Sequence, residues 1–165
     1  MNGKIIVLTG DGKGKTTSAI GMAVRASGHG KKVIIVQFLK KGRYGELKAE
    51  LKNIEIHQFG REEFVFEASR EDYEIVEEGL KFSLNALKKK PFMLILDEIN
   101  VAISSGLIKL EDVMELINGR GKTHIILTGR DAHPEIIKRA DVVTEMKKIK
   151  HYYDIGVKAI EGIEY

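Results

Sequence analysis

Short unbroken apolar runs recur along the chain and indicate strands that are covered on both faces of a parallel sheet. Such runs occupy residues 4–9, 33–38, 92–96 and 123–128. A further strand is predicted at 141–146. The run 54–59 instead alternates apolar and polar residues, so we expect it to have one face in solvent, as at a sheet edge.

Between these runs, apolar residues recur at the three-to-four-residue spacing of amphipathic helices. The predicted helices span residues 15–27, 46–51, 69–87, 99–105, 110–118 and 134–140. Ser69 is placed to cap the third helix, and Pro134 fits the first turn of the last. Gly21, inside the first helix, is interpreted as a point of close packing on the sheet. Strands that alternate with helices predict an α/β fold, with a mostly parallel sheet and helices on both faces.

The composition agrees with one globular domain over residues 1–165. The chain is 43% hydrophobic and 31% charged, which is enough apolar material for one core and excludes disordered and fibrous classes. No repeat, proline-rich linker or low-complexity tract divides it. The formal net charge of +3, from 27 basic and 24 acidic residues, is too small to require nucleic acid, so no such partner is expected.

The absence of cysteine excludes disulfides, thiolate zinc sites and cysteine-ligated iron–sulfur clusters. The five histidines follow none of the usual metal-binding spacings. The apolar run after Lys4 is far shorter than a signal-peptide core, and no later run approaches the length of a membrane span. We therefore expect a cytoplasmic protein with no membrane partner.

A stretch rich in glycine and lysine joins the first strand to the first helix: Thr9-Gly10-Asp11-Gly12-Lys13-Gly14-Lys15-Thr16-Thr17. Glycines in such a turn let backbone N–H groups, a helix N-terminus and an ammonium converge on a polyphosphate, with a threonine hydroxyl left for magnesium. The usual pattern, G-x-x-x-x-G-K-[ST], begins with glycine, whereas Thr9 stands at that position. We expect Gly10 and Gly12 to supply the missing backbone freedom one step later. A flexible surface turn is the alternative.

Two other predicted strands end in charged residues. Asp97 and Glu98 follow the apolar run 92–96, and Arg130 follows the run 123–128. Because ligands bind at the carboxyl ends of strands in parallel α/β sheets, we expect the two acids to face the phosphates and their metal. Arg130 is expected to contact phosphate oxygens. The alternatives are a helix cap for the acids and a surface ion pair for Arg130.

The sequence pattern alone does not decide the role of three segments. For the basic stretch 40–45, a solvated loop is as well supported as a functional one. Phe64 and Phe66, in the polar connection 60–68, cover either an edge of the core or a ligand. The tail 149–165 has no polar disordered extension, and we expect it to pack back on the domain. The residues by themselves predict a magnesium-dependent ATP-binding α/β domain whose reaction is undetermined.

Six blocks of sequence then point to a family. They are T-G-D-G-K-G-K-T-T at 9–17, A-V-R-A-S-G-H-G-K-K-V at 23–33, V-Q-F at 36–38, L-D-E at 96–98, T-G-R-D-A-H at 128–133 and K-H-Y-Y-D-I-G-V-K-A at 150–159. In this order they resemble the ATP:cob(I)alamin (corrinoid) adenosyltransferase family of cobalamin biosynthesis, and threonine at the first loop position is part of the resemblance. The resemblance implies a RecA-like P-loop fold. It also implies transfer of the 5′-deoxyadenosyl group from ATP to the Co(I) of a reduced corrinoid, with release of inorganic triphosphate.

The resemblance implies roles for individual residues. The residues expected to bind ATP are Arg25 and the loop residues Thr9, Gly10, Asp11, Gly12, Lys13, Gly14, Lys15, Thr16 and Thr17. The expected catalytic residues are Lys15, Thr16, Glu98 and Arg130. The expected ligands of Mg²⁺, or of Mn²⁺, are Thr16, Asp97 and Glu98. Phe64 and Phe66 are expected to face the corrinoid and keep its axial base off cobalt.

The resemblance further implies a corrinoid substrate, an external electron donor or reductase, and a homodimer. Only residues 1–3 precede the first strand, where this family often has an extension, so we expect any cover over the site to come from another segment. Two other functions remain open. One is ordinary phosphoryl transfer by an ATPase or a small-molecule kinase, and the other is an ATP-dependent corrinoid carrier without catalysis.

Overall fold

The computed structural model describes residues 2–61 and 69–165. The strands in these ranges are β1 (Ile5–Thr9), β2 (Val33–Phe38), β3 (Ile54–Phe59), β4 (Met93–Asp97), β5 (His124–Thr128) and β6 (Val142–Glu145). The helices are α1 (Lys15–Gly28), α2 (Gly45–Lys48), α3 (Arg70–Lys88), α4 (Ile99–Ser104), α5 (Leu110–Asn118) and α6 (Pro134–Arg139). A 3₁₀ turn, Tyr152–Ile155, lies in the tail.

The described strands form one parallel sheet in the order β3-β2-β4-β5-β1-β6. The register places Gln37 of β2 beside Asp97 of β4, and Leu8 of β1 beside Thr128 of β5. The carboxyl ends of these four strands therefore meet at one edge of the sheet, and the loops that follow them share a surface. The predicted parallel sheet is confirmed, as is the edge position of β3.

Helices cover both faces of the sheet, as predicted, but the two faces differ. On one face, α1 packs small side chains such as Ala23 against Ile35 and other strand residues. Helices α3 to α6 cover the other face, where Leu80, Leu116 and Ile136 join the larger core cluster. Because alanines allow a helix to approach a sheet closely, the start of α1 and the loop before it are held firmly over the strand ends.

Several details differ from the predicted helices. The apolar spacing of these helices predicts that Val24 of α1 and Tyr73 of α3 are buried, but each is 47% exposed. The interpretation of Gly21 is wrong, because nothing lies within 4 Å of the place where its Cβ would be. Gly79 of α3 is the packing glycine instead, since an added Cβ would stand 2.8 Å from the Phe38 ring.

Helix α2 ends at Lys48, earlier than predicted, because Ala49 takes an extended backbone conformation. Of the helices in residues 2–61 and 69–165, none is both long enough and apolar enough to cross a membrane.

Candidate functional site

The loop between β1 and α1 depends on three glycines. Gly10 has a φ of +93° and Gly14 a φ of +114°, a left-handed backbone that other residues rarely adopt. A Cβ on Gly10 would stand 2.5 Å from the carbonyl oxygen of Met146, and a Cβ on Gly12 would stand 2.7 Å from the same atom. The prediction that glycines replace the backbone freedom missing at Thr9 is confirmed for Gly10. Gly12 has no left-handed backbone and instead permits close backbone approach.

Thr9 has a different role from the glycine that it replaces in the pattern. Its side chain is buried, and Thr9 is not among the described residues that line the cleft discussed below. Its hydroxyl accepts a hydrogen bond from the backbone N–H of Ala132 at 3.3 Å. Threonine thus joins the phosphate loop to the loop that carries Arg130, a contact that glycine could not make.

A cleft of about 640 Å³ opens at the carboxyl ends of the strands, within the usual size range of small-molecule sites. The predicted residues in its lining are Asp11, Gly12, Lys13, Gly14, Lys15, Thr16, Thr17, Glu98 and Arg130. The structure therefore brings the phosphate loop, one acid and the arginine to one place.

Arg25 is not among the described lining residues of this cleft. It lies exposed in the last turn of α1, ten residues after Lys15, which is about 15 Å along a helix axis. The structure gives it no contact with the phosphate loop.

Lys15 is buried inside the loop at 9% exposure. Its Nζ donates to the carbonyl oxygens of Gly10 at 2.7 Å and Gly12 at 2.8 Å. Burial is the largest influence on this ammonium and lowers the pKa of Lys15, while the Glu98 and Asp11 carboxylates act against it. A polyphosphate in the loop would give this desolvated cation an anionic partner.

Asp97 is buried, with 1% of its surface exposed, and is not among the described residues that line the cleft. Its Oδ1 accepts hydrogen bonds from the hydroxyls of Thr16 at 2.8 Å and Thr128 at 2.6 Å. Its Oδ2 accepts from Lys40 Nζ at 2.8 Å and from Gln37 Nε2 at 3.3 Å. Four donors occupy the positions at which a carboxylate binds a metal. The geometry favours a role for Asp97 in orienting Thr16 over direct metal ligation.

Glu98 lines the cleft from a left-handed backbone with a φ of +61°, a conformation that is costly for a residue with a side chain. Its N–H donates to Thr128 Oγ1 at 3.0 Å, which holds this turn. Within the described ranges, the Glu98 carboxylate accepts no hydrogen bond. Burial, and after it the charge of Asp97, raises the pKa of Glu98. The charges of Lys40, Lys15 and Arg130 oppose this rise without cancelling it.

The donor set fits Mg²⁺. Thr16 and Glu98 supply hydroxyl and carboxylate oxygens, the ligands that hard divalent cations prefer. In residues 2–61 and 69–165, no group of three or more His, Cys, Asp or Glu side chains could hold a metal ion. Mg²⁺ held by Thr16 and Glu98 would complete its coordination with phosphate oxygens and water, which is its usual mode beside nucleotides.

Arg130 lies on the rim of the cleft. Its Nε is 3.8 Å from Asp11 Oδ1, and the two side chains are 62% and 74% exposed. An ion pair so open to water contributes little stability and is easily exchanged for another anion. The guanidinium is therefore available to phosphate oxygens.

The tail returns to the phosphate loop, which confirms the prediction that it packs on the domain. Lys13 Nζ donates to the carbonyl oxygen of Ile163 at 2.9 Å and pairs with Glu164 at 3.0 Å. Glu164 also accepts hydrogen bonds from the Tyr152 hydroxyl and, at 2.7 Å, from the backbone N–H of Ile160. We call residues 160–165 the carboxyl-terminal segment; its last four residues line the cleft.

Phe64 and Phe66 lie outside the described residues. The positions on either side of their connection are joined, because Arg61 pairs with Asp72 and donates to Ser69 Oγ at 2.6 Å. The described residues on the two sides of this connection are therefore held together at the start of α3.

Three residues of the site received no role from the sequence: Lys40, Thr128 and Glu164. Lys40 and Thr128 stand at the carboxyl ends of β2 and β5, which is the same signal that identified Asp97 and Arg130. No comparable signal marks Glu164, whose partner lies at the other end of the chain.

Comparisons with known proteins identify a family to which this chain is similar. A family model described as ATP:corrinoid adenosyltransferase BtuR/CobO/CobP matches residues 1–165. The chain is 36% identical over 171 residues to a corrinoid adenosyltransferase of Pseudomonas aeruginosa, covering 99% of this chain and 84% of that protein. It is 36% identical over 174 residues to the corrinoid adenosyltransferase CobA of Salmonella typhimurium, covering 99% and 86%.

Among solved structures, a KaiC-like protein from Pyrococcus horikoshii is similar with a TM-score of 0.56. The match covers 90% of this chain and 75% of that chain at 18% identity. At this identity the likeness concerns the fold alone, and it confirms the expected RecA-like α/β architecture.

Proposed function

The chain belongs to the ATP:corrinoid adenosyltransferase family, and on that premise we propose that it transfers the 5′-deoxyadenosyl group of ATP to the Co(I) of a reduced corrinoid and releases inorganic triphosphate. One observation on the structure supports this reaction in addition to the family membership. Five cationic side chains line a single cleft at the strand ends: Lys13, Lys15, Lys40, Arg130 and Lys148. Acidic side chains line the cleft as well, so the placement of Lys13 and Lys15 in the phosphate loop is what suits a leaving group whose negative charge grows during the reaction.

The proposed step breaks a C–O bond and leaves every P–O bond intact. Co(I) attacks C5′ with an electron pair, the Co–C bond forms, and the C5′–O bond breaks with its electron pair leaving on the triphosphate. Because Co(I) is already a strong nucleophile, no side chain has to remove a proton. Catalysis then depends on positioning the two substrates and on stabilising the departing anion.

We assign a different role in this reaction to each group of residues in the cleft. Lys15, Lys13 and the N–H groups of the loop hold the triphosphate, and Arg130 adds charge from the rim. Thr16 and Glu98 would hold Mg²⁺, which neutralises phosphate charge when bound. Asp97 keeps the Thr16 hydroxyl in place through the hydrogen bond at 2.8 Å.

The decisive experiment is anaerobic incubation with ATP, magnesium and chemically reduced corrinoid. We expect a light-sensitive adenosylcorrinoid spectrum and an equal amount of inorganic triphosphate. Lys15→Met and Glu98→Gln should each lower the rate by about 100-fold or more, because the first removes a cation from the leaving group and the second removes a ligand of the proposed Mg²⁺. ADP or orthophosphate without triphosphate would instead identify phosphoryl transfer, and binding of both ligands without a Co–C bond would identify a carrier.

The proposal includes Phe64 and Phe66 as the side chains that displace the axial base from the corrinoid. If so, Phe64→Ala and Phe66→Ala should keep their activity with chemically pre-reduced Co(I) and lose it when a reductase supplies the electron. Equal losses in both assays would contradict this role.

A homodimer and an external reductase are also part of the proposal. Val142 and Val143 of the edge strand β6 are 49% and 42% exposed, and this apolar edge is suited to contact with a second copy. Light scattering should give twice the chain mass of 18.5 kDa. Val143→Glu should shift the protein towards the monomer, and a monomeric wild type would contradict the proposed dimer.

A further inference from the structure

Lys40 belongs to the basic stretch after β2, yet it is not a solvated surface lysine. Its side chain is 18% exposed and pairs with Asp97 Oδ2 at 2.8 Å. Its Nζ also donates to Thr16 Oγ1 at 3.3 Å. Lys40 therefore contacts both the loop hydroxyl and the buried acid of the site, from a strand that the phosphate-loop pattern does not include.

Two backbone features hold Lys40 in this position. The preceding residue, Leu39, has a φ of +58°, a left-handed conformation that is unfavourable for a residue with a side chain. Gly60 lies so close that any Cβ on it would overlap the backbone nitrogen of Lys40. Strained backbone of this kind persists only where the surrounding structure enforces it, and it occurs most often at functional sites.

The donors of Lys40 are not all used. An ammonium has three N–H groups, and the described residues supply two acceptors, Asp97 and Thr16. The Tyr44 ring centroid is 5.6 Å from Nζ, which adds a weak cation–π contact. Lys40 itself lines the cleft, so the remaining donor capacity faces the space where a triphosphate would lie.

The charge of Lys40 is secure. Burial by itself would lower its pKa, but the Asp97 carboxylate acts more strongly through its charge and hydrogen bond, so the pKa of Lys40 is raised overall. A simple counter-ion for Asp97 would account for one of these contacts. It would not require the Thr16 contact, the strained Leu39 or a place in the cleft lining.

We propose that Lys40 is a second triphosphate-binding lysine, which donates to the departing anion from the β2 side of the cleft while Lys15 holds it from the loop. Lys40 reaches Thr16, the neighbour of Lys15, from the loop after β2, so the two lysines would contact the anion from different segments of the chain. Lys40 would thereby share the charge that develops when the C5′–O bond breaks. This inference rests on the proposed function, because the triphosphate is that of ATP.

The test is titration calorimetry with inorganic tripolyphosphate in the presence of EDTA, so that no metal contributes to binding. We expect Lys40→Met to weaken binding by about tenfold, the usual cost of one charge-assisted hydrogen bond. The matched control is Lys41→Met, which removes the same charge from an exposed neighbour and should change binding by about twofold or less. Lys40→Arg keeps charge and donors and should recover most of the affinity.

An Asp97→Asn background distinguishes direct contact of Lys40 with the triphosphate from neutralisation of the Asp97 charge by Lys40. If Lys40 touches the triphosphate, Lys40→Met still weakens binding by about tenfold there. If Lys40 only neutralises Asp97, its effect disappears in that background and the inference is overturned. Equal affinities of Lys40→Met and Lys41→Met would overturn it as well. Should Asp97→Asn fail to show a cooperative thermal transition, the comparison of the two lysine variants decides.

Failure of this inference is distinguishable from failure of the proposed function. A wild-type protein that forms adenosylcorrinoid while Lys40→Met binds tripolyphosphate normally contradicts the role of Lys40 alone. A wild-type protein that releases orthophosphate or ADP contradicts the proposed function, whatever the Lys40 variants bind.

Discussion

At the scale of single residues, Asp97 and Glu98 are chemically alike and adjacent but have opposite surroundings. Asp97 accepts four hydrogen bonds from its neighbours, whereas the Glu98 side chain stands in the cleft with a raised pKa. The left-handed backbone at Glu98 produces this difference by turning its side chain away from the donors that surround Asp97. These surroundings favour a role for Asp97 in orienting Thr16 and leave the Glu98 carboxylate for the proposed cation.

The surroundings of Glu98 predict a conflict between stability and activity. Because its pKa is raised in the folded state, the folded protein holds this proton more tightly than the unfolded chain does. Stability is therefore lost as pH rises through the ordinary value of 4.5 and beyond. Glu98→Gln should raise the melting temperature by about 2 °C at neutral pH while abolishing adenosyl transfer.

The same substitution should leave the melting temperature nearly unchanged near pH 4, where Glu98 itself is protonated. Glu50→Gln, at an exposed position, is the matched control and should have no effect at either pH. A lower melting temperature of Glu98→Gln at neutral pH would show that Glu98 stabilises the fold after all.

Most of the site was predictable because its signals are local in sequence. The loop glycines, Lys15 and Glu98 each follow from the residues directly beside them. Lys40 has the same strand-end position as Asp97 and Arg130, but its contact with Asp97 depends on β2 lying next to β4 so that Gln37 is opposite Asp97. Strand pairing of this kind is a property of the whole sheet and leaves no mark in a short stretch of sequence.

At the scale of elements, two helices contain a glycine with opposite surroundings. Gly21 of α1 has open space at its Cβ position, whereas Gly79 of α3 faces the Phe38 ring. Gly21→Ala should raise the free energy of unfolding by about 0.5–1 kcal/mol, because alanine restricts the unfolded chain and favours a helix. Gly79→Ala should lower it by about 1–3 kcal/mol through overpacking.

Urea denaturation of both variants tests this pair, and each serves as the control for the other. Effects of the same sign would contradict the assigned packing of α1 and α3. The sequence alone gave the wrong assignment at Gly21, because periodicity shows that a helix has two faces without showing which residues the neighbouring element reaches.

The start of α3 supports a further prediction at this scale. Hydrogen bonds from Arg61, and after them from Ser69, lower the pKa of Asp72. This carboxylate therefore contributes stability at neutral pH, and the contribution is lost as pH falls below its ordinary value of 3.8. Asp72→Asn should lower the free energy of unfolding by about 1 kcal/mol at neutral pH, with a smaller difference near pH 3.

Glu71→Gln is the control, since Glu71 meets the same arginine at 3.4 Å but is 65% exposed. It should change stability by less than about 0.5 kcal/mol. Asp72→Asn should also weaken corrinoid binding, because the Arg61–Asp72 pair joins the two ends of the connection that carries Phe64 and Phe66. Unchanged corrinoid affinity would separate this pair from the proposed corrinoid site.

The strands themselves were predictable because a strand that is buried on both faces is mostly apolar, as β2 and β4 are apart from Gln37 and Asp97 near their carboxyl ends. Their order in the sheet was not, since apolar runs of similar composition can be paired in many ways. The edge strand β6 differs from these buried strands, because two of its four residues are polar and all four are exposed.

At the scale of the whole molecule, the carboxyl-terminal segment returns to the phosphate loop. Glu164 forms an ion pair with the Lys13 ammonium. Hydrogen bonds from the Tyr152 hydroxyl and the Ile160 N–H lower the pKa of Glu164 to about 2, so this carboxylate is charged at neutral pH. A bound triphosphate would compete with this carboxylate for the Lys13 ammonium. Glu164→Gln should therefore tighten tripolyphosphate binding by about threefold.

A Lys13→Ala background isolates that competition, since Glu164→Gln should have no effect on binding there. Glu161→Gln, whose side chain is 74% exposed in the same segment, is the control for a general change in charge. Equal effects of the two glutamate variants would show that Lys13 and Glu164 are not coupled.

The position of the carboxyl-terminal segment also bears on how the protein should be handled. Any polypeptide fused after Tyr165 leaves the molecule at the mouth of the cleft, because Tyr165 lines it. A fusion before Asn2 leaves from the far end of the sheet, where the N–H of Gly3 donates to the carbonyl oxygen of Gly121. Purification handles and surface anchors for binding assays therefore belong at the amino terminus, where they leave the entrance for nucleotide and corrinoid open.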